Sequence, residues 1–181
     1  MNYKDIITET MSEIGKKEEA LFIGQGLITG DKVYGTMNLA PMQEGNSKCL
    51  ELPCAENLHI GTAIGLALQG FRPIVIFQRM DFILCAADAI INHLCLMPKM
   101  SGGQFKLPVL IRAIVGSQSK DFDAGLQHTK DFSDLFKPYM AVYELKRAGG
   151  IRSTYEQAWN EQEPAMLVEY KDYYGEELQN V

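Results

Sequence analysis

Apolar and small residues fill most of residues 51–77, ELPCAENLHIGTAIGLALQGFRPIVIF. Part of this stretch repeats apolar residues at the spacing i, i+3, i+4, i+7, i+8, which predicts a helix with one core-facing stripe. The stripe consists of Ile60, Ala63, Ile64, Ala67 and Leu68. The other faces of the helix include Leu58, Leu66, Gly61 and Gly65. We therefore expect the helix to be buried on more than one side, and the two glycines to permit close approach of a neighbour.

The helix is predicted to begin at Glu56 and to end at Gly70, a residue suited to a C-cap. The next apolar residues, 74–77, form a continuous run typical of a central parallel strand. Further helices are predicted at 3–15, 82–96 and 151–160, with Pro98 ending the second of them. Further strands are predicted at 20–23, 49–52, 107–115, 141–143 and 165–168.

Predicted strands alternate with predicted helices, and the strands are continuous apolar runs. This pattern indicates an α/β fold, a three-layer sandwich around a mostly parallel central sheet. With 181 residues, the chain has the length of one domain, and we expect a single domain over 1–181. The tail from 170 onward carries no predicted element, and its tyrosines, Tyr170, Tyr173 and Tyr174, are expected to be exposed on a partner surface.

Composition excludes several functional classes. The net charge is −6 and the pI about 5.1, and no basic cluster is larger than a pair, so we expect no nucleic-acid binding. The N-terminus lacks the pattern of a signal peptide, and no apolar run has the length of a transmembrane helix, so no membrane association is expected. The four cysteines and three histidines show no zinc-type spacing, which favours reduced thiols in a cytoplasmic protein.

Two long polar segments interrupt the predicted elements. Residues 25–47 are rich in glycine, and residues 116–129 contain Asp121, Asp123, Gly125 and His128. A loop as long as 25–47 in a compact domain is usually functional or mobile.

The AEN tripeptide followed by GTAIGLALQGFRPIV resembles the pyrimidine-binding domain of the transketolase superfamily of thiamine diphosphate enzymes. Within it, the chain is most similar to the beta subunit of the 2-oxoacid dehydrogenases. That resemblance continues, in order, through ADAIIN at 87–92, MSGGQ at 100–104, PVLIR at 108–112, Gln127-His128, and EPAMLVEYKDYYG at 163–175. It covers nearly the whole chain, and MSGGQ together with the Gln-His pair is its more specific part.

The resemblance assigns Glu56 a catalytic role. In such enzymes a glutamate at this place hydrogen-bonds a ring nitrogen of the cofactor's aminopyrimidine, favours its imino tautomer and so generates the nucleophile that attacks a carbonyl. A carboxylic acid in an apolar pocket suits proton sharing, because desolvation favours its neutral form. The alternative is that Glu56 only caps the helix and interacts with its dipole. The residues alone leave both open; the resemblance favours catalysis.

Three further residues match positions of the family's site. His128 matches a histidine that stabilises charge on the substrate or exchanges protons with it; its alternative is a surface histidine without a role. Gln78 and Phe82 match side chains that lie against the aminopyrimidine ring. Phe82 could stack on that ring or simply belong to the core.

Four more residues lie close in sequence to these positions or in the second helix. His59 is expected to pack in the core, with a place in the site as the alternative. His93 is expected to be a buried structural histidine. Arg79 and Asp81 stand where the resembling subunits usually carry uncharged residues, so they either alter substrate choice or pair with each other at the surface.

The sequence departs from the family in two places. A second acid often follows the first strand in the family, whereas this chain has Gly24-Gln25-Gly26 there. The chain also stops where the family continues into a second domain, and TGDKVYGTMN is not the Gly-Asp-Gly motif, with a downstream Asn, that binds magnesium and diphosphate. The resemblance therefore implies that this chain holds only the pyrimidine half of thiamine diphosphate, with magnesium on an alpha-type, diphosphate-binding partner subunit.

The expected assembly is a heterotetramer containing a homodimer of this chain, with active sites at the interfaces. The expected reaction is decarboxylation or carboligation of a 2-oxo acid, or ketol transfer, on a small carbonyl substrate. Two alternatives stay open. One is a non-catalytic homologue that serves as an assembly or regulatory partner, and the other is a generic α/β ligand-binding domain unrelated to thiamine diphosphate.

Overall fold

Six parallel strands form one sheet in the order β2-β1-β3-β4-β6-β5. The computed structural model describes residues 1–38, 48–117 and 125–177. The strands are β1 (Ala20–Gly24), β2 (Cys49–Glu51), β3 (Arg72–Phe77), β4 (Leu110–Val115), β5 (Ala141–Leu145) and β6 (Ala165–Tyr170). All six contain residues predicted to be strand from their apolar runs, and the predicted parallel arrangement is confirmed.

Helices cover both faces of the sheet, which confirms the three-layer sandwich. The helices are α1 (Tyr3–Gly15), α2 (Glu56–Leu68), α3 (Met97–Met100) and α4 (Ile151–Asn160). Successive residues of a strand point to opposite faces. On β3, Ile74 and Ile76 therefore pack with α1 and α4, while Val75 and Phe77 pack with α2.

The bounds of α1 and α4 are those predicted from the sequence. A capping box fixes the start of α1, because the Asn2 side chain accepts the Asp5 backbone N–H at 2.8 Å and Asp5 Oδ2 accepts the Asn2 N–H at 3.2 Å. These two bonds satisfy backbone donors that the first helical turn leaves free.

Helix α2 begins at Glu56 as predicted, and Gly70, with φ +93°, follows its end in the left-handed conformation expected of a C-terminal glycine. The expected burial on several sides is wrong for the chain by itself. Ile60 and Ala63 are fully buried, but Leu58 is 51% exposed and Leu68 43% exposed. Gly61 and Gly65 are exposed as well, and no atom lies within 4 Å of a Cβ built on either glycine.

The predicted helix over 82–96 is wrong in its form, because it is divided into three pieces. A 3₁₀ helix spans Met80–Ala86, a π-helix spans Ala89–Cys95, and α3 follows at once. Pro98 lies in the first turn of α3 instead of ending the helix, a position where its missing N–H costs little. His93 is exposed and lies 3.4 Å from Asp88 Oδ2, so its predicted burial is also wrong.

Arg112 on β4 and Glu169 on β6 form a fully buried ion pair, with Nε to Oε1 at 2.5 Å and Nη2 to Oε2 at 2.9 Å. Thr36 accepts from Arg112 at 2.6 Å, and the hydroxyls of Tyr155 and Tyr174 each donate to Glu169 at 2.8 Å. Burial and the nearby Glu169 carboxylate raise the pKa of both tyrosines well above the usual value. The network joins two strands to α4 and to the segment after β6.

That network corrects the expectation of an exposed tyrosine tail. Tyr174 is buried and stacks on Tyr3, with 5.7 Å between ring centroids. Tyr170 and Tyr173 are half-buried, and the Tyr170 hydroxyl donates to Asp131 Oδ2 at 2.7 Å. The tail also carries a short 3₁₀ turn at Lys171–Tyr173, where no element was predicted.

Within the described ranges no single helix is long and apolar enough to cross a membrane. Taken together, the bent pair Met80–Ala86 and Ala89–Met100 is long and apolar enough, by length and composition only. Several apolar side chains of this pair, including Ile83, Ile90 and Leu94, are fully buried in the core of the chain itself.

Candidate functional site

A crevice lies where the strand order reverses, between β1 and β3. From β1 the chain passes to β2 on one side and then returns to β3 on the other. Ligands of open α/β sheets bind outside the carboxyl ends of the strands at such a point. The residues that leave these strand ends are Gln25 after β1, the loop 52–55 after β2, and Gln78 after β3.

Gln25 is held from both sides of the crevice. The side-chain amide of Gln78 donates to its backbone carbonyl, and Cys54 Sγ donates to its side-chain oxygen at 2.9 Å. The neighbouring Gly26 has φ +69°, and a Cβ there would lie 1.9 Å from Gln78 Nε2. The positive φ favours glycine at position 26, and any Cβ there would displace the end of the Gln78 side chain, which joins β3 to the loop after β1.

Glu51, the last residue of β2, binds the loop that follows β1. Its carboxylate accepts the backbone N–H of Gly26, that of Leu27 at 2.8 Å and that of Ile28 at 2.9 Å. Consecutive N–H groups that converge in this way form an anion-binding concavity, here filled by the protein's own carboxylate. An acid therefore does lie at this edge of the sheet, although it comes from β2 and not from the position after β1.

Sequence reasoning missed Glu51. The available signal was an acid near the end of a predicted strand. Its bond to Gly26 could not be foreseen, because the two residues are 25 positions apart and no local pattern connects them. A cleft of about 590 Å³ opens beside this contact and is lined by the loop after β1, by residues 51–53 and by Gln78.

Glu56 is the first residue of α2, half-buried, and follows Pro53 of the cleft wall by three residues. Its carboxylate makes no hydrogen bond or ion pair with any residue that the structure describes. The preceding Ala55 provides no side-chain cap either, so α2 has no hydrogen-bonded cap at its start. Glu56 is partly exposed to solvent, so the acid is accessible to a ligand.

His59 anchors the loop in front of Glu56. The imidazole is 2% exposed, and its Nε2 donates to the Pro53 carbonyl oxygen at 2.9 Å. The ring also lies 6.3 Å from that of Phe77, between centroids. Its predicted core packing is confirmed, and the bond to Pro53 ties the loop to the first turn of the helix.

Phe82 and His128, both predicted site residues, lie together. His128 closes a short 3₁₀ turn, Leu126–His128, and its ring centroid is 5.5 Å from that of Phe82. A Cβ at Gly116 would lie 2.2 Å from the His128 carbonyl oxygen, so the loop passes where only glycine leaves room. Phe82 is 40% exposed, more than a residue that serves only the core.

Asp81 and Arg79 do not pair with each other among the residues described, so the predicted alternative of a surface ion pair is wrong. Asp81 instead contacts the histidine loop, where its Oδ1 accepts the backbone N–H of Lys130 at 3.4 Å. Two buried polar atoms at this contact, Asp81 Oδ2 and His128 Nδ1, have no hydrogen-bond partner among the residues described.

The residues that the structure describes include no group of three or more His, Cys, Asp or Glu side chains that could hold a metal ion. Asp121 and Asp123 of the predicted polar loop lie outside the described residues. A separate cavity of about 390 Å³ between α1 and α4, with Trp159 in its wall, lies on the opposite face of the sheet from α2.

Comparison with protein families matches residues 1–130 to the family described as "Transketolase, pyrimidine binding domain". The beta subunit of the pyruvate dehydrogenase E1 component from Cyanidium caldarium is 29% identical over 160 residues, 87% of this chain and 48% of that protein. The beta subunit of the acetoin:2,6-dichlorophenolindophenol oxidoreductase of Cupriavidus necator is 33% identical over 130 residues, 71% of this chain and 38% of that protein. The chain thus spans about half the length, or less, of these curated relatives.

A solved structure, a split-gene transketolase described as an inactive beta4 tetramer, superimposes with a TM-score of 0.72. The alignment covers 99% of this chain and 54% of that one, at 17% identity. At this identity the likeness establishes the fold, the three-layer sandwich with its parallel sheet.

Proposed function

Because the chain belongs to the transketolase pyrimidine-binding domain family, we propose that it is the pyrimidine-binding subunit of a heteromeric thiamine diphosphate-dependent enzyme. One observation carries the proposal. Half-buried Glu56, at the start of α2 just beyond the loop 52–55, has no partner among the residues described. A glutamate that capped the helix would accept a backbone N–H of the first turn, and Glu56 accepts none.

The predicted site residues suit an aminopyrimidine, which is flat, apolar on its faces and polar along its edge. Glu56 can share a proton with a ring nitrogen, and the exposed ring of Phe82 can pack against a ring face. His128, beside Phe82, can stabilise charge on the substrate. Gln78 is also proposed to bind the cofactor, although its amide nitrogen already holds the loop after β1. When bound, thiamine diphosphate supplies the carbon nucleophile and the electron sink.

Magnesium and the diphosphate are proposed to lie on an alpha-type partner subunit. The curated relatives are beta subunits, and the sequence contains no Gly-Asp-Gly motif followed by an Asn at the required distance. This chain therefore contributes the acid and the aromatic ring, and the partner completes the site.

An exposed apolar stripe on α2 supports assembly with other chains. It comprises Leu58, Gly61, Gly65 and Leu68, which recur at a spacing of three and four residues and share one helical face. We call this set the α2 stripe. Exposed apolar surface of this kind marks interaction sites, and the two glycines would let a partner backbone approach closely. We propose a heterotetramer of two such chains and two partner subunits.

The proposed substrate is a small carbonyl compound, a 2-oxo acid or a ketose, and the reaction is decarboxylation, carboligation or ketol transfer. By their names, the two curated relatives belong to enzymes of pyruvate and of acetoin. These two compounds are therefore the first to test.

A non-catalytic assembly partner is the second candidate. It is favoured by Gln25, which replaces an acid that the family often carries after its first strand. The presence of both Glu56 and His128 in the sequence argues against it, since a scaffold needs neither.

Substitution of Glu56 separates the two candidates. The chain is co-expressed with its candidate partner, a protein carrying the Gly-Asp-Gly motif, and pyruvate- or acetoin-dependent reduction of 2,6-dichlorophenolindophenol is followed. Glu56→Gln should lower turnover at least about 100-fold, the scale of a positioned proton-transfer group, with assembly intact. Glu18→Gln is the matched control. Glu18 is exposed just before β1, at the amino ends of the strands and away from the crevice, so its substitution should leave turnover unchanged. Equal turnover of both variants would favour the scaffold.

A further inference from the structure

We propose that Asp81 and His128 act as a carboxylate–imidazole pair, in which Asp81 is a positioning residue for the histidine. The pairing concerns this chain alone. Only the use of the pair in turnover rests on the proposed function.

The two residues lie on elements that are already in contact. Asp81 Oδ1 accepts the backbone N–H of Lys130, two residues beyond His128. The ring of Phe82, adjacent to Asp81 in sequence, packs against the imidazole at 5.5 Å between centroids. One carboxylate oxygen of Asp81 is thus bound to the very loop that carries His128.

Each residue has one buried atom left without a partner, and the two atoms are complementary. Asp81 Oδ2 can only accept when the acid is ionised, and His128 Nδ1 can donate when it carries the proton. Burying an unpaired carboxylate oxygen and an unpaired ring nitrogen is unfavourable, and one hydrogen bond between them would relieve both.

Contacts restrict the backbone around His128, so the side chains of Asp81 and His128 are the groups that can move. Gly116 has no room for a Cβ because the His128 carbonyl occupies that space, and Asp81 holds the loop at Lys130. In the structure the two side chains do not bond to each other, so rotation of Asp81, His128 or both is the movement by which Oδ2 and Nδ1 would meet.

The pair would fix the tautomer of His128. An imidazole that donates from Nδ1 to a carboxylate keeps the lone pair on Nε2, and its ring orientation is set by the same bond. In the proposed enzyme, Nε2 would then be ready to accept a proton or to contact negative charge on the substrate. The chain has an acid where the resembling subunits usually have an uncharged residue, and this role accounts for it.

The tautomer can be measured on the isolated chain by long-range ¹H–¹⁵N NMR of the imidazole nitrogens at a pH where His128 is neutral. We expect His128 to be protonated on Nδ1, and Asp81→Asn to shift it toward the Nε2-protonated form common in free histidine. The wild-type measurement alone decides the matter if the variant does not fold. A wild-type His128 protonated on Nε2 would overturn the proposal, and so would a folded Asp81→Asn variant with an unchanged tautomer.

His93 supplies a matched control, because it is exposed and lies beside Asp88. Asp88→Asn makes the same chemical change next to another histidine and should leave the His128 signals in place. If Asp88→Asn shifts the His128 tautomer as Asp81→Asn does, the effect is not specific to Asp81 and the proposal fails.

In the assembled enzyme, Asp81→Asn should lower kcat at least about tenfold, part of the roughly 10²–10⁴-fold contribution of a positioned proton-transfer group, and leave KM nearly unchanged. An unchanged kcat would overturn the role of the pair in turnover. An assembly that does not bind thiamine diphosphate, with the Nδ1 tautomer observed, would contradict the proposed function and support the pair.

Discussion

The carboxylate of Glu51 accepts the backbone N–H of Leu27 at 2.8 Å, so the residue that ends β2 determines the position of the loop that follows β1. Two further amides, those of Gly26 and Ile28, bind the same carboxylate. The loop, in turn, is bonded by Gln78 from β3. The three strand ends at the crevice are thereby connected through side chains, and the crevice is shaped before any ligand arrives.

Glu51→Gln should loosen this loop. The variant loses the negative charge that three amides share and directs an amide NH₂ group toward donors, so we expect a loss of about 1–3 kcal/mol in the free energy of unfolding. Amide hydrogen exchange at Gly26, Leu27 and Ile28 should accelerate. Urea denaturation and exchange NMR measure both, with the exposed Glu163→Gln as control. Unchanged protection of the three amides would show that Glu51 does not hold the loop.

Removal of one partner of the Arg112–Glu169 pair should destabilise the chain far more than removal of a surface pair. Arg112→Leu leaves the Glu169 carboxylate fully buried without its counter-charge, at a cost of about 3–5 kcal/mol. Glu13→Gln breaks the exposed contact with Lys16 and should leave the denaturation midpoint unchanged within error. Similar midpoints for the two variants would contradict the account of this network as a structural centre.

Gly65→Ala should have opposite effects on the chain and on its assembly. Gly65 lies inside α2 with open space around a built Cβ, so alanine should stabilise the isolated chain by up to about 1 kcal/mol through its higher helix propensity. The same methyl group occupies the α2 stripe, and we expect it to weaken association with the partner. Thermal denaturation and analytical ultracentrifugation test the two effects, with Glu156→Ala on the exposed face of α4 as control. Undiminished association would exclude the α2 stripe as the assembly surface.

The cysteines should differ in reactivity and report on the site. Burial raises the pKa of the Cys95 thiol to about 11, so its thiolate is scarce at neutral pH and its alkylation should stay slow until the pH approaches that value. Cys54 is exposed and lies two residues before Glu56, so it should react readily in the chain alone. In the assembled enzyme, thiamine diphosphate should protect Cys54 from alkylation, as read by mass spectrometry. Cys85, also exposed, shows whether any protection is confined to Cys54.

The sequence predicted the fold well, because the signals for it are local. The amphipathic pattern over 3–15, which stops at Gly15, predicted the bounds of α1, and the apolar run at 74–77 identified the strand beside the crevice. The resemblance brought Phe82 and His128 to attention, and the structure brings them into contact. Their assigned roles stay predictions.

Other features depend on contacts that no local pattern contains. An apolar helix face has the same sequence pattern whether the chain itself or another chain covers it. The periodicity therefore places Leu68 in the core, although the residue is exposed. Tyr174 was expected to be exposed because the polar tail gives no sign of the distant Glu169 network. Glu51 was missed for the same reason, since its partners lie across the sheet.

The measurement that tests the central claim most directly is calorimetric titration with thiamine diphosphate and magnesium, first on this chain alone and then on the chain mixed with its candidate Gly-Asp-Gly partner. We predict no binding to the chain alone and tight binding to the mixture, lost in part with Glu56→Ala. Absence of binding to the mixture, with the two proteins shown to associate, would contradict the account and leave this chain as an assembly partner with a pyrimidine-binding fold.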